Sequence, residues 1–97
     1  MKPSEAIKIH RSEILKIIDD SNFSEPKIFG SVARGEDNEN SDVDLLVTIK
    51  RRPTTLFDMA GLKADLEELL KIKVDLTVEK NETTYFQNII LKDAVPL

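Results

Sequence analysis

Ninety-seven residues, 40% apolar and 33% charged, suit one small globular domain spanning residues 1–97, with a modest core and no room for a second, substrate-binding domain. The absence of cysteine excludes disulfides and thiolate metal sites. A formal charge of −4 disfavours a polynucleotide partner, because nucleic-acid binders present a basic face; the one basic cluster, Lys50-Arg51-Arg52, reads most simply as a solvated strand end. No apolar run approaches the roughly 20 residues of a membrane span. The opening MKPSEAIKIH lacks the apolar centre of a signal peptide, so the expected location is cytoplasmic and no membrane partner is expected.

Residues 4–20 predict an amphipathic helix, with Ser4 as N-cap and Ile7, His10, Ile14, Ile17 and Ile18 on one stripe. His10, the only histidine, is expected to be a packed or boundary residue rather than a ligand. Lys27-Ile28-Phe29 predicts a short strand stopped by Gly30, and Ser31 to Arg34 a helical turn closed by Gly35. After the polar loop Glu36–Ser41 comes the best strand, Asp42–Ile49, whose Leu45-Leu46-Val47 run implies cover on both faces. Beyond Pro53, Thr54 or Thr55 is placed to cap a helix reaching about Leu70. Its expected buried stripe is Leu56, Met59, Leu62, Leu66, Leu69 and Leu70. Lys73–Val78 alternates, with Val74, Leu76 and Val78 on one face and Lys73, Asp75 and Thr77 on the other. A final helix over 82–92, with Tyr85 on its apolar side, and an edge strand over 94–97 complete the order. The fold class is α/β (α+β), a small mixed sheet with flanking helices.

The chemistry concentrates between Phe29 and Val47. Asp42 and Asp44 alternate onto one face of a strand, with Cα atoms roughly 6.5 Å apart, and no basic residue lies nearby in sequence to neutralise them. Aspartates are depleted in strands and repel one another there unless a cation sits between them. The plainer reading is a solvated strand start with Asp42 capping a turn. A calcium loop fails, since an EF-hand counted from Asp37 would need Gly at position 42 and Glu at position 48. Gly30 and Ser31, just upstream, offer free backbone N–H groups and a hydroxyl to a phosphate; taken alone they would be an ordinary turn with Ser as N-cap. A phosphate cradle beside a carboxylate pair points to transfer chemistry on a nucleoside triphosphate.

These residues resemble a known family. Gly30-Ser31-Val32-Ala33-Arg34-Gly35 followed by Ser41-Asp42-Val43-Asp44-Leu45 is similar to the nucleotidyltransferase superfamily typified by DNA polymerase beta, and in its longer form to the minimal nucleotidyltransferase (MNT) domains. The resemblance implies the polymerase beta-like fold and two Mg²⁺ ions held by Asp42, Asp44 and a third acid. Lys73-Val74-Asp75-Leu76-Thr77-Val78 is similar to the family segment carrying that third acid, so Asp75 is the candidate metal ligand and proton acceptor; the bland alternative is an exposed edge-strand residue. Gly30 and Ser31 would hold ATP or another nucleoside triphosphate, and Arg34 would either assist a phosphate or fix the loop by pairing with a carboxylate.

MNT proteins are commonly the antitoxin halves of pairs with HEPN-domain toxins. The resemblance therefore implies transfer of a nucleotidyl group, adenylyl from ATP, to a tyrosine of a HEPN partner, and a hetero-oligomer with that partner. The rival class is a catalytically weak binding module that neutralises its partner by complex formation. A third reading, modification of a small molecule such as an aminoglycoside hydroxyl, lacks room for an acceptor pocket unless a partner completes one.

Overall fold

The computed structural model describes residues 1–79 and 92–97. Among these described residues, three helices lie on one face of a four-stranded mixed sheet. The elements are α1 (Pro3–Ile9), α2 (Arg11–Asp19), β1 (Phe23–Phe29), α3 (Gly30–Arg34), β2 (Val43–Ile49), α4 (Leu56–Leu70), β3 (Val74–Val78) and β4 (Val95–Pro96). The sheet order is β3-β2-β1-β4. β1 runs antiparallel to both β2 and β4, and β3 runs parallel to β2. That parallel pair needs a crossover, which α4 provides.

The single helix expected over 4–20 is interrupted for one residue. His10 leaves helical geometry (φ −101°, ψ 16°), ending α1 and starting α2. The apolar stripe runs on across the break, with Ile7, Ile14 and Ile18 buried and Ile17 packed beside them. The N-cap is Lys2 rather than Ser4. Pro3 takes the first helical position, where its missing N–H costs nothing. Ser4 instead donates its backbone N–H to Asp37 Oδ2 at 2.9 Å. His10 is partly exposed and its Nδ1 lies 3.0 Å from Glu13 Oε1, a boundary position as expected.

β1 begins four residues earlier than the sequence suggested. Its first half is irregular: Glu25 sits at φ +52°, and the pairing with β2 shifts between Ser24 and Lys27. Pro26, lacking an N–H, sits in that bulge, where strand prolines are tolerated. β2 is buried on both faces. Val43, Leu45 and Val47 join the core beneath the helices, and Leu46 is buried on the opposite face.

α4 starts at a reciprocal capping box. Asp58 N–H donates to Thr55 Oγ1 at 3.3 Å, and Thr55 N–H donates to Asp58 Oδ2 at 2.8 Å. Leu62, Leu66 and Leu70 form its buried line and Met59 and Leu69 pack at the margin. Leu56, the first residue of α4, is the exception, 80% exposed. Lys71, at φ +58°, closes α4 and turns the chain into β3. The expected final helix falls, but for Lys92, outside the described residues. Among the described residues no helix is long and apolar enough to cross a membrane.

Candidate active site

The site is built where β1 ends, β2 begins and β3 begins. Phe29, the last residue of β1, pairs with Asp44. The chain then turns at Gly30 (φ +74°) into α3, which Gly35 closes in the left-handed conformation (φ +73°). Phe29 occupies the N-cap position of α3 and Ser31 lies inside its first turn, so the ordinary capping role for Ser31 is absent. First-turn N–H groups have no partner within their own helix and are open to an anionic ligand.

Gly30 is required by its neighbour as much as by its backbone angle. A Cβ built on it would stand 2.2 Å from Asp44 Oδ2, well inside contact distance. The Asp44 carboxylate therefore lies directly against the Gly30 backbone. This close approach joins the turn and the acid into one cradle.

Loop 36–41 delivers Asp42 to the mouth of β2. The loop is pinned by Asp37 on Ser4, by Asn40 N–H donating to Asn38 Oδ1 at 2.8 Å, and by Asn38 N–H donating to Ser41 Oγ at 2.9 Å. Burial raises the Asp37 carboxyl, but the Ser4 bonds outweigh it and hold the group below the usual carboxylate range. Asp42 sits one residue before β2 rather than within it, and its side chain is 41% exposed.

Asp75 stands directly opposite Asp44 in the parallel β2–β3 pairing, flanked by Val43↔Val74 and Leu45↔Leu76. Its strand is thus the neighbour of 42–49, and Asp44 and Asp75 share the sheet face opposite α1, α2 and α4. The Asp44 carboxyl is held above the usual carboxylate range. Burial raises its pKa first, the negative charges of Asp75 and Asp42 add to the rise, and Arg34 partly offsets it.

Arg34 is engaged structurally. Its Nε donates to Glu36 Oε2 and its Nη1 to Asp93 Oδ2, both at 3.1 Å, tying the end of α3 to the C-terminal segment. It still lies close enough to act on the charge of Asp44.

Lys73 was not singled out by sequence. Its Nζ lies 3.9 Å from Asp42 Oδ2 and 4.0 Å from Asp75 Oδ1, so the acids do have a basic neighbour, supplied through β3. Strand alternation had placed Lys73 on the polar face with Asp75. Its reach to Asp42 required the β2–β3 pairing. Among the described residues no three His, Cys, Asp or Glu side chains converge into a ready-made metal cluster. The Lys73 ammonium lies within reach of two of the acids.

The chain matches the model of the nucleotidyltransferase domain over residues 11–97. It belongs to that family. A candidate protein adenylyltransferase of Methanocaldococcus jannaschii is 34% identical to this nucleotidyltransferase over 85 residues, covering 88% of this chain and 90% of the relative. The solved structure of a candidate minimal nucleotidyltransferase superposes with a TM-score of 0.83 at 37% identity, covering 97% of this chain and 95% of the other. The MNT antitoxin fold also matches: a chain from the complex of tri-AMPylated Shewanella oneidensis HEPN toxin with its MNT antitoxin gives a TM-score of 0.68 at 18% identity, over 92% of this chain and 69% of that one. The expected mixed sheet with flanking helices is thus the minimal nucleotidyltransferase fold.

Proposed function

We propose that this nucleotidyltransferase moves an adenylyl group from ATP to a hydroxyl of a protein partner, a tyrosine of a HEPN-domain toxin, and so acts as the antitoxin of a pair. The observation that carries the reading is the close approach of the Asp44 carboxylate to the Gly30 backbone, which leaves no room for a Cβ, set beside Asp75 at matching register. A bare Cα against a carboxylate lets a phosphate approach backbone and acid together.

The donor set fits Mg²⁺. Asp42, Asp44 and Asp75 are hard oxygen donors on one patch, and the repulsion that raises Asp44 is the kind a hard cation relieves. We assign these three residues as its ligands, for one or two ions. Bound there, Mg²⁺ would offset the charge that develops on the triphosphate.

The chain's own groups supply the rest. Gly30 and Ser31 hold the outgoing phosphates through backbone N–H groups and the Ser31 hydroxyl. Asp75 accepts the proton of the acceptor hydroxyl. The freed oxygen forms a bond to the α-phosphorus, the bond from that phosphorus to the bridging oxygen of the β-phosphate breaks, and pyrophosphate leaves with its electron pair. Arg34 fixes the loop rather than the nucleotide.

A protein acceptor suits the exposure of the site. Asp42 and Asp75 have side chains 41% and 47% exposed, and a groove of about 470 Å³ lies at the other end of β1, lined by residues such as Leu15, Phe23 and Pro26 and touching none of the site. The test is mass spectrometry of the co-expressed partner with wild-type chain and with Asp42→Ala/Asp44→Ala. The expected result is an added adenylyl mass with the wild type only. Full neutralisation of the partner by the double variant, with no modified tyrosine in either case, would replace this reading by the binding-module one.

A further inference from the structure

Lys73 is the last residue before β3, and its carbonyl accepts the Val43 N–H at 2.9 Å. Its backbone is therefore fixed beside the start of β2, between the two acids at the mouth of the site. Its ammonium reaches both, at 3.9 Å from Asp42 Oδ2 and 4.0 Å from Asp75 Oδ1. Both distances exceed a direct hydrogen bond, and the side chain is 62% exposed. Such a contact is electrostatic and loose; an exposed pair of this kind is readily exchanged for another. Asp44, the acid packed against Gly30, has no ion pair with Lys73 among the described residues.

Resting on the nucleotidyl-transfer reading of this site, we propose that Lys73 is a built-in counter-cation that holds the place of the divalent ion and makes metal binding depend on nucleotide. With metal alone, a divalent cation entering between Asp42 and Asp75 meets the ammonium's positive charge and must displace it into water. With a nucleoside triphosphate, the phosphates offer the displaced ammonium a new anionic partner at the same mouth. The four-carbon stem allows that swing while the backbone stays bonded to Val43. Free metal ions are thereby discriminated against, and metal with triphosphate binds as a unit. Lys73 is a positioning residue here: it acts through Asp42 and Asp75.

The experiment is calorimetric titration of the full chain with Mn²⁺, with and without a non-hydrolysable ATP analogue, for wild type, Lys73→Met, Lys73→Arg and Asp44→Asn. Removing a unit charge near a divalent ion changes its affinity by about tenfold at water-like screening. Lys73→Met should therefore bind Mn²⁺ about tenfold more tightly than wild type without nucleotide, and lose that advantage when the analogue is present. Lys73→Arg, which keeps the charge, should stay near wild type in both conditions. Equal Mn²⁺ affinities for wild type and Lys73→Met without nucleotide would overturn the inference. So would a gain in Lys73→Arg matching that of Lys73→Met. Loss of Mn²⁺ binding in Asp44→Asn alongside an unchanged Lys73→Met would remove only the role of Lys73. Mn²⁺ binding untouched by Asp44→Asn, or undetectable in every protein, would remove the metal site and this inference with it.

Discussion

The Asp44 carboxylate occupies the space that a side chain at position 30 would need: a Cβ on Gly30 would stand 2.2 Å from Asp44 Oδ2. The Gly30 turn and the Asp44 carboxylate are thus shaped to each other, although thirteen residues lie between them in sequence. A change at one should be read at the other.

Gly30→Ala should strain the backbone at φ +74° and push Asp44 out of place. Gly35→Ala has the same backbone problem at φ +73° but meets nothing within 4 Å. The Gly35 variant should therefore lose about 1 kcal/mol of stability from conformation alone. Gly30→Ala should lose about 1–3 kcal/mol. Transfer should be nearly abolished in Gly30→Ala and largely kept in Gly35→Ala. Urea denaturation together with a single-turnover assay separates the two, and equal transfer in both variants would deny the cradle its role.

Asp44→Asn should make the metal-free protein more stable at neutral pH. The folded-state pKa of Asp44 is raised, chiefly by burial and then by Asp75 and Asp42. A raised carboxyl binds more protons folded than unfolded, so stability falls as pH rises from the ordinary carboxylate range through the folded value. Above that window the charged Asp44 is a constant cost that asparagine removes. Below it both side chains are neutral and the gain disappears. Melting curves across pH read this directly; a variant less stable than wild type at pH 7 would show that the charge is already compensated.

Asp75→Asn should separate binding from chemistry. Gly30, Ser31, Asp42 and Asp44 remain, so nucleotide should still bind. Transfer should fall on the order of 10²–10⁴-fold, the usual scale for a positioned base. Matching transfer rates for variant and wild type would make Asp75 an ordinary edge-strand residue.

Much of the frame was legible because local chemistry and burial agreed. The run Leu45-Leu46-Val47 announced a strand covered on both sides, and both faces are buried. Gly35 closed a helical turn as its left-handed preference requires, and Thr55, one of the two threonines offered, caps α4. What escaped were features set by tertiary neighbours. Ser24-Glu25-Pro26 are poor strand formers, yet they are held in β1 through a bulge. Nothing in the residues around His10 announces the break between α1 and α2. Leu56 fits the helical stripe by spacing but stays exposed at the start of α4. At the site, the spacing of Asp42 and Asp44 was visible, whereas the arrival of Lys73 between Asp42 and Asp75 depends on strands that lie side by side only in the fold.

Asp44 and Asp75 face each other because the crossover between them has one particular length. β2, the loop after it, the fifteen residues of α4 and the turn at Lys71 together fix which residue of β3 meets Asp44. Side chains on a strand alternate, so one residue added or lost between Lys71 and Lys73 would turn Asp75 into the apolar layer and bring Leu76 or Val74 to the polar face. The turn after α4 touches no substrate, yet its length is as exacting as the identity of the acids. Variation in this protein should accordingly be free in the composition of that turn and closed in its count.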